Sequence, residues 1–183
     1  VNMMLGLRMG GKTILIPNPR DLPAVLKELS KHTFHSFPAV NTLFNGLLNE
    51  EWFLAYPPKH LKASIAGGTA LHSAVAQRWR EVTGTPIAEG YGLTETSPVV
   101  SFNPLSGEPR LGSIGIPAPG TDVRLVSETG QDVPVGEPGE IWVRGPQVMQ
   151  GYWQNEAETA NAARVYNLAR QDVAGFDAYA RTI

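Results

Sequence analysis

Apolar positions in the first half of the chain recur alternately at strand and at helix spacing. Residues 12–16, Lys-Thr-Ile-Leu-Ile, form a short β-branched run closed by Pro17 and Pro19, which predicts a buried strand. Asp21 then stands before Leu22, Val25, Leu26 and Leu29, apolar at i, i+3, i+4 and i+7, so a helix capped by Asp21 is expected. A second helix is expected to start near Pro38 and to carry Leu43, Phe44, Leu47 and Leu48. Pro57-Pro58 breaks the chain ahead of a predicted strand over 63–66. Residues 71–82 read as a helix with Gly84 just past its end. A strand over 86–89 feeds a glycine-rich loop. This β-α-β order predicts a mostly parallel sheet, whose ligands sit beyond the carboxyl ends of the strands. Both glycine segments, 67–68 and 90–92, follow predicted strands.

The texture changes near Gly112. Residues 121–126 alternate, a Glu128-Thr-Gly-Gln131 turn follows, and residues 140–143 read as another strand. Proline and glycine punctuate every few residues, which predicts a small antiparallel or barrel-like unit. The expected fold class is therefore α/β: a partial β-α-β layered subdomain over 1–110, then a small β-rich, distorted-barrel subdomain over 111–153. Residues 154–183 are expected to be a divergent tail, helical or disordered.

Composition narrows the function classes. The 183 residues are 42% hydrophobic, ample for a globular core. A net charge of −2 argues against a nucleic-acid surface. With no cysteine there is neither a disulfide framework nor a thiolate metal site. No apolar run is long enough to span a bilayer, and no secretory signal opens the sequence. A soluble, cytoplasmic protein is the expectation.

The densest chemistry lies in Glu89-Gly-Tyr-Gly-Leu-Thr-Glu-Thr-Ser-Pro98. Gly90 and Gly92 let backbone amides approach a ligand, because no Cβ intervenes. Tyr91 can offer a flat face to a planar base. Thr94 supplies a hydroxyl, and Glu95 a hard oxygen ligand suited to Mg²⁺. Together these describe a nucleotide site, although the same residue types also suit a plain glycine-rich turn between strands.

Gly-Tyr-Gly-Leu-Thr-Glu resembles the adenylate-binding motif of the AMP-forming acyl-CoA synthetase superfamily. Ser64-Ile-Ala-Gly-Gly-Thr-Ala70 is similar to the family's adenine-flanking segment. Gly112-Ser-Ile-Gly-Ile-Pro-Ala-Pro-Gly120 and Gly136-Glu-Pro-Gly-Glu-Ile-Trp-Val-Arg-Gly-Pro146 resemble its β-rich subdomain, which ends in Gly151-Tyr-Trp153. Asn18-Pro-Arg-Asp21 and Val40-Asn-Thr-Leu-Phe44 are similar to bacterial long-chain fatty-acid–CoA ligases. The resemblance runs from residue 1 to about Thr159.

That resemblance implies specific roles. Tyr91 would stack on adenine, with the backbone around Gly67, Gly68 and Thr69 closing the other side. Glu89 would accept from the adenine amino group. Gly90 would belong to the same nucleotide-binding loop, and Gly92 and Leu93 would border the acyl carboxylate. Thr94 would meet the α-phosphate, and Glu95 would ligate Mg²⁺. The implied reaction uses ATP, Mg²⁺ and coenzyme A to convert a fatty acid first to an acyl-adenylate and then to acyl-CoA. Peripheral association of the parent with the inner face of the membrane also belongs to that expectation.

The resemblance also implies a piece of a longer protein. The phosphate-holding Ser/Thr/Gly loop and the lysine of a C-terminal lid have no counterpart here, so the chain alone is expected to be inactive. After Asn155-Glu-Ala-Glu-Thr159 the family's Gly-Trp-Leu and Thr-Gly-Asp pattern is lost. Laying residues 168–174 over that region puts Asp172 at the ribose position. A solvated helix acid is the alternative for Asp172, and a frame change or fusion junction near residue 160 would explain the departure equally well. A non-catalytic remnant that binds nucleotide or a partner, or a ligase for another acid, are the alternatives for the whole.

One pattern match is set aside. Gly6-Leu-Arg-Met-Gly-Gly-Lys-Thr13 fits the Walker A spacing, but the mechanism needs a strand before the loop and a helix after it. Here the preceding residues look helical and two prolines follow, so Lys12 reads as a turn lysine. The four histidines share no ligand spacing. Phe34, Phe37, Phe44, Trp52 and Phe53 are expected in the core, with a lipid tunnel as the alternative, and in the family that the motifs resemble the two can coincide.

Overall fold

A computed structural model describes residues 2–166. The chain forms two compact units. The first holds the residues up to Tyr91 together with Asn103–Gly115, and the second holds Gly92–Phe102 and the chain from Ile116 onward.

The first unit opens with α1 (Asn2–Arg8) and an irregular stretch over residues 11–16. The strand expected at 12–16 does not form. Its β-branched composition favours extended backbone, but no ladder pairs its amides. Helix α2 (Leu22–Lys31) starts where expected, with the Asp21 carboxylate accepting from the Ala24 amide at 3.1 Å and Pro23 in the first turn. Strand β1 (Ser36–Ala39) then occupies the place where a helix start was expected, and α3 (Asn41–Leu48) begins five residues after Ser36. Pro38 is tolerated in β1 because that strand pairs only with β2 (Ala63–Ala66) and lies at the sheet edge. After α4 (Glu51–Ala55) and β2 comes α5 (Ser73–Thr83), closed by Gly84 in the left-handed conformation at φ 72°. Strand β3 (Ile87–Gly92) follows. Strands β1, β2 and β3 are parallel, with Ala39 opposite Ala66 and Ala66 opposite Glu89.

Trp79 of α5 organises the core. It is 1% exposed, stacks near-parallel on Phe37 and Phe53 at 5.9 and 5.2 Å, and meets Phe44 edge-on at 4.7 Å. Its indole N–H donates to the Ser64 hydroxyl of β2 at 2.9 Å, so the ring's one polar atom is satisfied inside the core. Phe37, Phe44 and Phe53 are buried, and Phe34 and Trp52 pack against them, so this set is core as expected.

In the second unit a single 3-10 turn (Thr94–Thr96) leads to β4 (Val99–Phe102), which pairs antiparallel with β5 (Ile116–Pro117). Strands β6 (Asp122–Val126) and β7 (Glu140–Arg144) form an antiparallel ribbon. Asp122 and Arg144 stand opposite each other and form an ion pair. Helix α6 (Glu156–Tyr166) follows. Among the described residues the antiparallel texture is present but no closed barrel forms, because the β6–β7 ribbon is a separate sheet from the one that holds β4 and β5.

Candidate adenylate-binding site

The Walker-like segment contains no phosphate cradle. Helix α1 runs into it as far as Arg8, and no helix follows before α2. The amides of Met9, Gly10 and Gly11 donate to the carbonyls of Leu5, Leu7 and Gly6, at 3.0, 3.0 and 2.7 Å. Gly10, at φ 69°, completes a helix C-terminal turn. Amides engaged in closing a helix cannot grip phosphate, and Lys12 is an exposed residue beyond that turn.

In the first unit, the parallel strands bring Gly67 and Gly90 together at one end of the sheet. Ala66 pairs with Glu89, so Gly67 comes beside Gly90. A Cβ built on Gly67 would stand 3.5 Å from the Gly90 carbonyl oxygen. Gly68 sits at φ 80°, a conformation glycine adopts without steric cost. Thr69 is exposed and Tyr91 half-buried.

Glu89 already has a structural partner. Its Oε1 accepts the Leu71 amide at 3.0 Å, which braces the segment after Thr69 against β3. Its main-chain oxygen accepts both the backbone N–H and the side-chain Nδ2 of Asn103, at 2.9 and 3.1 Å. Neither contact was visible in the sequence, since the partners lie 18 and 14 residues away.

The division between the units falls after Tyr91, and the rest of the motif belongs to the second unit. There the chain reverses tightly. The Leu93 amide donates to the Pro98 carbonyl at 2.8 Å. The fully buried Thr96 hydroxyl stands 3.1 Å from the Leu93 amide and donates within the loop, with the Pro98 carbonyl 2.8 Å away. Thr96, which was not singled out from the sequence, is the loop's internal fastener. Thr94 is exposed, while Leu93 and Glu95 are half-buried.

Glu95 is held from both ends. Its carbonyl accepts the Met149 amide at 2.7 Å, and its carboxylate accepts the Tyr152 hydroxyl at 2.7 Å. The Tyr152 hydrogen bond, followed by one from Glu95's own backbone, lowers the carboxyl below its ordinary value, so Glu95 is ionised at neutral pH. Among the described residues no group of three or more His, Asp or Glu could hold a metal ion. A single ionised carboxylate suits Mg²⁺, which keeps several waters and takes its other ligands from phosphate oxygens. Gln147 anchors the same stretch, its Nε2 donating to the Val99 carbonyl and the Thr121 hydroxyl at 3.0 and 2.7 Å. Asp172 lies outside the described residues.

With this geometry established, the relatives can be compared. A model of the AMP-binding enzyme family matches residues 1–153. A long-chain-fatty-acid–CoA ligase of Yersinia pestis is 49% identical over 97% of this chain and 32% of its own length. One of Haemophilus influenzae is 44% identical over the same shares. These alignments continue past residue 153, into the stretch whose motifs depart from the family pattern. The chain spans about a third of the length of the curated relatives it matches. Among solved structures, an anthranilate CoA ligase in complex with anthranoyl-AMP superposes with a TM-score of 0.78 at 29% identity, over 83% of this chain and 30% of that one. A benzoate CoA ligase from Burkholderia xenovorans LB400 superposes with a TM-score of 0.79 at 27% identity, over 85% and 32%. Through a family match covering most of its residues and a fold shared with these ligases, the chain belongs to the AMP-binding enzyme family.

Proposed function

We propose that the chain is the adenylate-binding portion of an ATP-dependent long-chain fatty-acid–CoA ligase. One observation carries this reading: the glycine segments at 67–68 and 90–92 emerge at the carboxyl ends of adjacent parallel strands, Gly67 beside Gly90. That is where an open parallel sheet takes its ligand. The relatives' activity supports the substrate class.

In this reading Tyr91 stacks on adenine, and the Gly67, Gly68 and Thr69 backbone closes the base on its other side. Thr94 meets the α-phosphate, and Gly92 and Leu93 border the acyl carboxylate. Glu95 would hold Mg²⁺, which supplies charge neutralisation for the triphosphate. The fatty carboxylate oxygen attacks the α-phosphorus and pyrophosphate leaves. The thiolate of coenzyme A then attacks the acyl carbon and AMP leaves. Such steps depend on positioning and on preorganised charge. Glu95 suits its part because Met149 and Tyr152 fix it from two sides while it stays ionised. Asp172 is proposed for the ribose hydroxyls. The chain alone is proposed to bind adenine nucleotide without turnover. We also propose that the parent works in the cytoplasm, in peripheral contact with the membrane's inner face; among the described residues no helix is long and apolar enough to cross a membrane.

The test is pyrophosphate release by the full-length parent with ATP, Mg²⁺ and a long-chain fatty acid. Glu95→Gln is expected to cut the rate about 100-fold or more, the usual scale for losing one preorganised electrostatic contact, with the fold intact. Lys12→Ala is expected to leave it unchanged. The opposite pattern, loss with Lys12→Ala and none with Glu95→Gln, would restore the Walker segment as the phosphate site.

A further inference from the structure

Asn103 is 2% exposed, and its side-chain amide and backbone N–H are all hydrogen-bonded. Its Nδ2 donates to the carbonyls of Glu89 and Ser113, at 3.1 and 2.5 Å. Its Oδ1 accepts the Arg110 amide at 3.0 Å, and its own backbone N–H donates to the Glu89 carbonyl at 2.9 Å. A planar group with two donors and one acceptor is needed, and among short side chains only asparagine supplies it. The Glu89 carbonyl thus receives two donors from one residue, within β3 and immediately before Gly90 and Tyr91. Through its carboxylate the same Glu89 holds the Leu71 amide, just after the turn of Gly67, Gly68 and Thr69. All these groups lie in the first unit.

We propose that Asn103 is a positioning residue of the adenine site: it fixes the Glu89 main chain, and Glu89 in turn braces the Gly67–Thr69 turn through the Leu71 amide. This assigns Glu89 a bracing role in addition to any contact with the base, and it rests on the adenine-site reading above. Asparagine serves because both lone pairs of the Glu89 carbonyl are then filled and the peptide before Gly90 is held in place. Aspartate at 103 would turn two donated hydrogen bonds into acceptor–acceptor repulsions inside a buried site, where unmade polar contacts cost most. Glutamine at 89 would keep an oxygen for the Leu71 amide, whereas leucine would not.

The experiment is amide hydrogen exchange at Leu71, with Trp79 as reporter of global opening, alongside calorimetric titration with AMP. Asn103→Asp and Glu89→Leu are expected to speed Leu71 exchange relative to Trp79 and to weaken AMP binding about tenfold, the change one lost hydrogen bond of this kind produces. Glu89→Gln, which keeps an oxygen for the Leu71 amide, is expected to leave Leu71 exchange within about threefold of the parent, a change worth less than one such bond. Arg110→Pro, which removes the amide that orients the Asn103 Oδ1 together with an exposed side chain outside the core, serves if Asn103→Asp does not fold, and should give the same local effect. Leu71 exchange unchanged in the folded Asn103 or Arg110 variant would overturn the proposal, as would exchange rising equally at Leu71 and Trp79. If the parent chain bound no AMP while the exchange pattern held, the adenine-site reading would fall and the bracing by Asn103 would stand.

Discussion

Gly92→Ala is expected to destabilise the chain by about 3 kcal/mol, the upper range for forcing extra atoms into a packed site, and to remove the proposed nucleotide binding with it. A Cβ built at Gly92 would lie 1.7 Å from the Pro98 carbonyl oxygen and 3.1 Å from the Val99 Cα. Both are backbone atoms, so no side-chain rotation relieves the clash. Moving Pro98 away is costly as well, since its oxygen accepts the Leu93 amide at 2.8 Å and lies 2.8 Å from the Thr96 hydroxyl. Opening the loop therefore sacrifices the bonds that shape residues 93–98, and Thr94 and Glu95 lose their fixed backbone. Gly67→Ala is the contrast. Its Cβ would meet the Gly90 oxygen at 3.5 Å, an ordinary contact, and stability should change by less than about 1 kcal/mol. Urea titration of the two variants separates a glycine required by shape from one that merely permits close approach. Equal midpoints would contradict the loop geometry.

The second large effect is expected at Trp79. Truncation to alanine should cost about 4 kcal/mol, within the usual range for emptying a buried aromatic site. Three rings lose their common partner and the Ser64 hydroxyl loses its donor inside the core. Because marginal stabilities are about 5–15 kcal/mol, such a variant should be close to unfolding at room temperature. Trp79→Phe should cost less, since the ring contacts partly survive. A double-mutant cycle with Ser64→Ala then isolates the indole–hydroxyl bond, expected near 1 kcal/mol. Additive effects of the two substitutions would show that the bond contributes nothing.

Elements written in local signals were legible. Asp21 with the periodic leucines marked α2, and Gly84 marked the end of α5, because caps and apolar faces act within a turn or two. Strand β2 coincided with its prediction, since its apolar run lies between a proline break and a glycine pair. The run at 12–16 misled because extended propensity makes a strand only where another strand pairs with it, and pairing is not a local property. Pro38 misled in the other direction. Proline commonly opens helices, yet here it sits in an edge strand whose free side needs no amide.

The candidate site divides in the same way. Glycines, tyrosine, threonine and glutamate were readable as types suited to a nucleotide. What holds them was not. Tyr152 reaches Glu95 across 57 positions, Asn103 reaches Glu89 across 14, and Glu89 reaches Leu71 across 18. Trp79 escaped notice because its importance lies in partners from β1, α3 and α4, which only the fold assembles. Thr96 looked like one more loop hydroxyl, and only its complete burial identifies it as the fastener.

The central claim is that Tyr91 and the neighbouring glycine turns form an adenine site. Calorimetric titration of the purified chain with AMP tests it most directly, comparing the parent with Tyr91→Ala and Lys12→Ala. The account predicts saturable binding that Tyr91→Ala weakens by about 1–3 kcal/mol, the usual strength of base–aromatic stacking, and that Lys12→Ala leaves unchanged. Binding equally strong in Tyr91→Ala and the parent, or lost only in Lys12→Ala, would contradict it.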